Sequence, residues 1–415
     1  MLAAILASVI VTYLAVALMP DRLDVRQPLP PAPPVSSEAF QRTLSGTLPG
    51  TLLPGHRIET LVNGDEIFPA MLEAIRGATT SVNLESYVYW PGAVADAFED
   101  ALIDAARRGV EVRVIIDWVG SFLVERAPID VMRREGVRVE LFRTPSIGNV
   151  ARLNNRTHRK ILVVDGRIGF TGGVGIADEW APGGDAHWRE SHWRIEGPAV
   201  ADMQGAFAEH WLEATGELLV GERFYPPIAP AGESVAQFVA QSFGGTNMSL
   251  HVALVFSIAA AERNIRIAMP YFVPDDVVIA QLAEAARRGV AVDIVLPGDE
   301  IGMDFVRRAS RHFWGPLLRA GVRIHEYEPT LYHKKMILVD DLLVNIGSAN
   351  INSRAFRHDH EANLLVFDPA FAAEQTALFE RDIALSREIT LAEWEARPPW
   401  RKAGDFLWSL GRPHF

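Results

Sequence analysis

The stretch HRKILVVD, residues 158–165, sets a histidine, a lysine and an aspartate at a fixed spacing and recurs as HKKMILVD, residues 333–340. The two histidines are 175 positions apart (333 − 158). At the frequencies of His, Lys and Asp in this chain, one HxKxxxxD match is expected by chance in roughly one such chain in a hundred. A second copy is far rarer, so the pattern indicates a duplicated functional unit.

Lysine is concentrated in these two stretches. The chain has 40 lysines and arginines together, and of its four lysines three, Lys160, Lys334 and Lys335, lie in the two copies. Lysine carries a compact charge on a flexible stem, whereas arginine is a broad planar fork. Because arginine is used almost everywhere else, lysine here indicates a role that needs a compact ammonium group.

Other segments repeat in the same order. AARRGV occurs at 105–110 and 285–290, and GVRVELF at 136–142 resembles GVRIHEY at 321–327. Each AARRGV is predicted to end a helix at its glycine and to enter an apolar, β-branched strand. Chance recurrence of alanine and arginine is the alternative for this motif, but it does not explain the collinear triplets. The alternation of helices and strands predicts an α/β fold of two homologous domains.

Five segments are predicted along the chain. They are a transmembrane anchor or signal segment at 1–19, a proline-rich linker at 20–44, a first domain at 45–222, a second domain at 223–390, and a C-terminal tail at 391–415.

The first 19 residues carry no charged side chain. As a helix they would extend about 28 Å, which is enough to cross a bilayer core. A cleaved signal peptide is the alternative, since Ala15 and Ala17 form an A-x-A-like site, but no basic side chain precedes the apolar run. We therefore predict an uncleaved membrane anchor, with a slight preference for a cytoplasmic body and the side of the membrane left open.

Composition narrows the function. The formal charge is −12 and the isoelectric point is near 5.5, which argues against a general nucleic-acid binder. The absence of cysteine removes disulfides, thiolate nucleophiles and cysteine-ligated metal sites. We expect no metal, no other cofactor and no obligate protein partner.

The repeated spacing predicts chemistry at phosphorus. Along a strand, residues i and i+2 share a face, so His158 lies beside Lys160 and His333 beside Lys335. One neutral imidazole is predicted to attack phosphorus, and the other to protonate the leaving oxygen and then deprotonate an incoming alcohol or water. The lysines supply positive charge around the phosphate oxygens. Histidines satisfied within a strand are the alternative, which the duplication disfavours.

Further residues complete the predicted catalytic set. Each imidazole needs an acceptor at its second nitrogen, and the candidates are Glu190, 32 residues after His158, and Glu361, 28 residues after His333. Asp165 and Asp340 belong to the set by position, but an aspartate that ends a strand before a turn is expected to support the turn more than the chemistry.

Residues that bind the substrate are predicted in the turns and in a basic stretch. Backbone and side-chain donors for phosphate oxygens are expected from the small-residue turns, and anionic substrate contacts from a run of basic residues, for which a solvated loop is the alternative. These candidates are Gly172, Gly173, Ser348, Asn350, Arg152 and Arg156. The apolar loop 121–128 and the tail at 400–415 could reach a membrane interface, with core packing as the alternative.

The duplicated HxKxxxxD and its following turn resemble the signature of the phospholipase D superfamily. LNNRTHRKILVVDGRIGFTGG, IADEW, HWRESHWRIEGPAV and GSANINSR resemble its bacterial cardiolipin synthase branch, and the resemblance covers about residues 57–390. It implies two α/β domains, each a mixed sheet flanked by helices, related by a pseudo-two-fold axis at which the motifs meet. It also implies that cardiolipin forms from phosphatidylglycerol through a phosphohistidine, with His158 as nucleophile and His333 as acid.

The first turn departs from the family pattern. It reads GGVG, so Gly173 and Gly175 stand where the family often has serine and usually asparagine. Phosphate contacts from that half are then expected from the backbone or from Lys160, and equal roles for the two halves are in doubt. Two other functions stay open, a phospholipase D-type phosphodiesterase or nuclease with water as acceptor and a non-catalytic membrane scaffold.

Overall fold

A computed structural model describes residues 27–123, 126–145, 154–183, 187–242, 248–299 and 304–415, together with Ser8 and Val25. No helix in these ranges is long and apolar enough to cross a bilayer. Apart from Ser8, the predicted anchor at 1–19 lies outside the described residues, and so does Arg152.

The first half alternates helices and strands. In chain order its elements are α1 (Glu38–Thr47), β1 (Leu53–Val62), α2 (Asn63–Gly77), β2 (Ser81–Ser86), α3 (Ala93–Arg107), β3 (Glu111–Asp117), α4 (Arg126–Arg134), β4 (Arg138–Phe142), β5 (Ile161–Val164), β6 (Ile168–Gly172), a 3₁₀ turn (Asp178–Trp180), β7 (Ser191–Glu196) and α5 (Ala199–Thr215).

The second half repeats this order, with short elements inserted within it and further elements added at its C-terminal end. Its elements are β8 (Ser234–Gln241), α6 (Ser249–Ala260), β9 (Asn264–Ala268), β10 (Phe272–Val273), α7 (Asp276–Arg287), β11 (Ala291–Pro297), α8 (Asp304–His312), α9 (Trp314–Ala320), β12 (Arg323–Tyr327), β13 (Met336–Val339), β14 (Leu343–Gly347), β15 (Ile351–Asn352), α10 (Ser353–Arg357), β16 (Glu361–Phe367), α11 (Pro369–Ala384), β17 (Ser386–Ile389), α12 (Leu391–Glu395), α13 (Pro399–Ser409) and a 3₁₀ turn (Arg412–His414).

Fifteen of the described strands form one mixed sheet in the order β17-β12-β11-β9-β13-β14-β16-β8-β1-β7-β6-β5-β2-β3-β4. β2, β3 and β4 are parallel to one another, as are β9, β11 and β12, and the other neighbours are antiparallel. Outward from the central β1–β8 pair, the strand order of one half matches that of the other. The predicted α/β fold with two repeated regions is confirmed, while the limits of the five segments stay a prediction.

The repeated AARRGV motif ends a helix in both halves. Gly109 follows α3 and Gly289 follows α7, with φ of 88° and 94°, the left-handed conformation that glycine adopts at low cost. Each glycine leads into a largely buried strand, β3 or β11.

A shared apolar core joins the halves. It brings β5 and β7 of the first half against β13, β14 and β16 of the second, through residues such as Ile161, Trp193, Leu338, Ile346 and Leu364. Each half also has a core of its own on the other side of its strands. The interface between halves is therefore packed like a protein interior, which holds the ends of β5 and β13 in a fixed relation.

The N-terminal helix α1 packs on the second half. Phe40 is buried and its ring lies 4.6 Å from that of Phe256, and Leu44 joins the same core. Ser37 caps the helix by accepting from the backbone N–H of Phe40. Ordered, packed structure thus begins inside the stretch predicted as a linker, because Phe40 and Leu44 provide an apolar face.

The two motif aspartates hold turns. Asp165 and Asp340 adopt φ of 52° and 54°. The carboxylate of Asp165 accepts backbone N–H groups of residues 79–81 at 2.7–2.9 Å, and that of Asp340 those of residues 262–264 at 2.7–3.0 Å. Each aspartate thereby ties the end of one strand to the start of its neighbour, the supporting role that the turn context indicates.

We expect Asp165→Asn to lower the free energy of unfolding by about 1–3 kcal/mol, because a neutral amide accepts these backbone groups less well than a carboxylate. Turnover per folded molecule should change little. Chemical denaturation together with an activity assay checks both, with Asp100→Asn on the exposed face of α3 as the matched control. Loss of turnover at unchanged stability would contradict the supporting role.

Candidate active site

His158 lies just before β5 and is held by residues of the second half. Its backbone N–H donates to the carbonyl of His360 at 2.9 Å, and its ring Nδ1 lies 2.8 Å from Oε1 of Glu361. Glu361 begins β16 and is fully buried. An Nδ1–H donated to this carboxylate leaves the lone pair on Nε2 free to attack.

His333 repeats the arrangement with partners from the first half. Its backbone N–H donates to the carbonyl of Arg189 at 2.8 Å, and its Nδ1 lies 2.6 Å from Oε2 of Glu190. Glu190 is also fully buried. In the sequence Glu190 follows His158 and Glu361 follows His333, but in the structure each histidine bonds the glutamate of the other half. The two His–Glu pairs are therefore formed across the interface.

Two short backbone bridges align these pairs. Thr157 pairs with His360 and Arg189 with Tyr332, each as an isolated parallel bridge between the halves. Each bridge lies one residue from a catalytic candidate. The backbone pairing therefore fixes the separation of the histidine and the glutamate.

Both motif lysines are buried beside their histidines. Lys160 Nζ donates to the carbonyl of His158 at 2.7 Å, and Lys335 Nζ donates to that of His333 at 2.9 Å and lies 3.1 Å from its Nδ1. Burial lowers the pKa of Lys160 to about 7 and that of Lys335 to about 8, although the two glutamates oppose the shift. A phosphate between these lysines would restore their charge.

The ionisation of the two pairs follows from burial. Burial, and then the nearby lysines, hold the pKa of His158 and of His333 well below the usual value. Burial raises the pKa of Glu190 and Glu361 to about 7 in each case, with the lysines opposing it. Besides the proton on Nδ1, each His–Glu pair therefore gains or loses a second proton near neutral pH. A pair of this kind can act as an acid or a base in proton transfer.

The two phosphate turns differ. Ser348 donates its hydroxyl to Oε2 of Glu361 at 2.5 Å and accepts the N–H of Ala362. At the matching position of the first half, a Cβ on Gly173 would lie only 2.2 Å from Oε2 of Glu190. Glu190 occupies the space of the missing side chain, and its Oε1 accepts the N–H of Ser191 instead.

The other turn residues lie close to these groups. Gly172 ends β6, and a Cβ there would meet the ring of His192 at 2.4 Å. Asn350 is buried, and its Oδ1 has no hydrogen-bond partner among the described residues. This oxygen is one of several buried side-chain atoms without a partner in the described residues, and the donor role of Asn350 stays a prediction.

Arg156, which is predicted to contact the substrate, pairs with a buried carboxylate. Its guanidinium is buried, lies 3.1 Å from Oδ2 of Asp117 and donates to the carbonyl of Phe142 at 2.8 Å. Asp117 in turn accepts the N–H of Thr157 at 3.0 Å. Arg156 therefore supports the segment that carries His158 and precedes β5, and its contact with substrate stays a prediction.

Sequence reasoning missed an aromatic lining around the histidines. The ring of Tyr87 lies 5.0 Å from that of His158, and the rings of Trp180, Trp188 and Tyr271 lie 5.3, 5.4 and 6.1 Å from that of His333. Both tryptophans stand in motifs that carry the family resemblance, so their position in IADEW and HWRES was the available signal. The rings supply apolar walls that exclude water from charged groups.

A family model described as "Cardiolipin synthase, PLD-like domain" matches residues 71–211 and 254–383. Cardiolipin synthase A of Pseudomonas syringae is 34% identical over 361 residues, covering 84% of this chain and 72% of that protein. Cardiolipin synthase 2 of Bacillus anthracis is 33% identical over 362 residues, covering 85% of this chain and 70% of that protein.

Solved structures share the fold. The phosphatidylserine synthase of Haemophilus influenzae aligns with a TM-score of 0.68 at 16% identity, covering 91% of this chain and 99% of that one. The polyphosphate kinase of Porphyromonas gingivalis aligns with a TM-score of 0.55 at 15% identity, covering 95% and 58%. At these sequence identities the likeness to the two structures shows the fold alone. Together with the two relatives above, the family match shows that this chain belongs to the cardiolipin synthase family with PLD-like domains.

Proposed function

We propose that this chain is a phosphatidyltransferase that forms cardiolipin from two molecules of phosphatidylglycerol through a phosphohistidine. The observation that carries the proposal is the pair of buried His–Glu hydrogen bonds formed across the halves, with a buried lysine beside each histidine. The names of the relatives point to the same reaction.

In the first step Nε2 of His158 attacks the phosphorus of phosphatidylglycerol. A P–N bond forms, the P–O bond to the glycerol headgroup breaks, and the leaving oxygen takes a proton from the Glu190–His333 pair. Lys160 and Lys335 compensate the negative charge on the phosphate oxygens. Glycerol leaves, and the phosphatidyl group stays on His158.

In the second step the Glu190–His333 pair, now short of one proton, removes a proton from a hydroxyl of a second phosphatidylglycerol. The alkoxide attacks phosphorus, the P–N bond breaks, and His158 returns to its neutral form. Atoms and protons balance over the cycle, with two phosphatidylglycerols giving cardiolipin and glycerol, and no metal or redox step is required.

The unequal turns support the role assignment. A hydroxyl donated by Ser348 favours the ionised form of Glu361, which keeps the proton on Nδ1 of His158 and the lone pair on Nε2. Glu190 receives a backbone N–H but no hydroxyl, because Gly173 has no side chain. The pair built on Glu190 is better suited to carry the proton, which favours His333 as the acid.

Membrane attachment belongs to the same proposal. Residues 1–19, which carry no charge, would anchor the chain at a bacterial membrane, and residues 28–34, PLPPAPP, would lead to the folded body. An anchor keeps a body of formal charge −12 beside an anionic lipid surface that would otherwise repel it.

The proposal is tested by incubating the purified chain with phosphatidylglycerol labelled in its acyl chains and its headgroup, and separating the products. We expect labelled cardiolipin and free glycerol. Phosphatidic acid with glycerol would replace the proposal with hydrolysis, and absence of turnover would leave a non-catalytic scaffold. Cleavage of oligonucleotides without lipid turnover would also overturn it.

The histidine roles are tested by substitution. His158→Ala should reduce turnover by about 10⁴-fold or more and abolish the phosphoenzyme, because the nucleophile is lost. His333→Ala should also lose turnover but still form phosphoenzyme slowly, which acid quenching of labelled enzyme detects. His56→Gln, at a buried histidine of β1, is the control for loss of an imidazole. Identical behaviour of the two site variants would contradict the assignment.

The pH dependence of kcat/KM should be bell-shaped with a maximum near pH 7. To attack, the His158–Glu361 pair must hold the Nδ1–H and no second proton, so the rate falls as pH drops. To donate, the Glu190–His333 pair must hold a second proton, so the rate falls as pH rises. Ser348→Ala removes a donor to Glu361, raises the pKa of that pair and should move the acidic limb up by about one pH unit.

The matched control for the pH experiment is Ser257→Ala, a buried serine of α6 whose hydroxyl donates to the carbonyl of Ala253. Its profile should match that of the unchanged chain. A shift of the alkaline limb instead of the acidic one in Ser348→Ala would mean that Glu361 serves the acid.

A further inference from the structure

Helix α13, Pro399–Ser409, has its polar residues inside and its apolar residues outside. Asp405 and Ser409 are buried, whereas the side chains on the outer side are exposed. We call the outer side the C-terminal apolar face, and it consists of Trp400 (68% exposed), Phe406, Leu407 (65%), Trp408 and Leu410. A helix at the surface of a soluble body normally shows the reverse pattern.

The inverted orientation is held by ion pairs. Buried Asp405 accepts Nε and Nη2 of Arg311 from α8, each at 3.1 Å, and also pairs with Arg397. Pairing of this kind compensates the cost of burying a charge, and it prevents the helix from turning its apolar side inward. The exposed tryptophans and leucines are thus presented by specific contacts of the helix.

The C-terminal apolar face contacts an apolar cluster that also reaches the active site. The ring of Trp408 lies 5.6 Å from that of Phe305 in α8, which lies 5.6 Å from that of Phe415. Phe415 belongs to the same apolar cluster as Tyr271, whose ring lies 6.1 Å from that of His333. Ring contacts therefore join Trp408 to Phe415, and Phe415 and Tyr271 both pack against the buried cluster of Val273, Val306 and Ala309.

A second exposed apolar segment lies beside the other histidine. Residues 118–123 follow the carboxyl end of β3, and Trp118, Phe122 and Leu123 are exposed there. Ser121 in this segment donates its hydroxyl to the carbonyl of Tyr87, whose ring lies 5.0 Å from that of His158. Apolar groups thus flank the site from both halves.

We propose that the C-terminal apolar face and residues 118–123 dock together on a phospholipid bilayer surface that contains anionic lipid. The exposed side chains of Arg401 and Lys402 follow Trp400 on the same helix. Aromatic residues beside basic ones form the composition that inserts at the boundary of headgroups and acyl chains. The active site would then open toward the headgroup layer, an inference that rests on the proposed lipid substrate.

A bilayer accounts for the arrangement better than a second protein copy. The two apolar segments come from different halves, each is linked by contacts to a ring beside one of the two histidines, and an extended bilayer surface is the occupant proposed for both. The body carries a formal charge of −12, so adhesion to anionic lipid needs a local basic and apolar contact of this kind. A second copy of the chain is an outcome that the experiment below separates.

The absence of cysteine allows a direct test on the full chain. Leu407→Cys introduces a unique thiol on the C-terminal apolar face, which is labelled with an environment-sensitive fluorophore. Vesicles of phosphatidylglycerol and phosphatidylcholine with brominated acyl chains should quench this label strongly. Arg287→Cys is the control and should be quenched little. Arg287 is exposed at the C-terminal end of α7, just before the amino end of β11.

Three results would overturn the docking proposal. They are no quenching at position 407, equal quenching at positions 407 and 287, and a lipid-independent signal at 407 that grows with protein concentration. The last result would assign the face to contacts between copies of the chain. Because quenching is read without turnover, it decides docking even where the proposed reaction fails.

A functional arm uses the double substitution Phe406→Asp with Leu407→Asp. Turnover of phosphatidylglycerol in vesicles should fall roughly tenfold, because charge on the face opposes insertion. Turnover of a short-chain phosphatidylglycerol below its micellar concentration should stay at the level of the unchanged chain, which shows that the variant is folded. Unchanged vesicle turnover would overturn the proposal, whereas no turnover of either substrate by the unchanged chain would overturn the function instead.

Discussion

The hydrogen bond from each motif histidine to the glutamate of the other half is the interaction on which the rest of the proposed site depends. His158 meets Glu361 and His333 meets Glu190, so neither half holds a complete pair. The packed core between β5, β7 and β13, β14, β16 and the two backbone bridges exist at the same interface. Separation of the halves would therefore remove both tautomer-fixing contacts at once, which couples catalysis to interface packing.

Burial gives these groups their chemistry. Two histidines, two glutamates and two lysines lie close together and are largely buried, and burial brings the pKa values of the glutamates and lysines to about 7 to 8. The hydroxyl of Ser348 bonds Glu361, whereas Gly173 at the matching position offers no hydroxyl to Glu190, and the proposed roles rest on this difference. The duplicated motif has become two unequal halves of one site.

Arginine and lysine side chains have different partners in this region. Arg156 and Arg189 are buried and bound to Asp117 and Asp382, where a planar fork matches a carboxylate. The motif lysines instead have flexible stems and few fixed partners beside the histidines. The preference for arginine outside the two motifs thus corresponds to arginines that pair with buried aspartates. The motif lysines stand where the proposed reaction needs positive charge beside phosphate.

The sequence by itself determined the two-fold repeat, the α/β fold and the residue types of the site, because strand alternation, helix ends and motif spacing are local properties of the chain. It also pointed to Glu190 and Glu361, but not to their partners. Only the tertiary structure decided that each glutamate bonds the histidine of the other half and that Arg156 pairs with Asp117. It also decided that α1 packs on the second half and that α13 exposes its apolar side. These features depend on contacts between residues far apart in the chain, whose geometry local spacing does not specify.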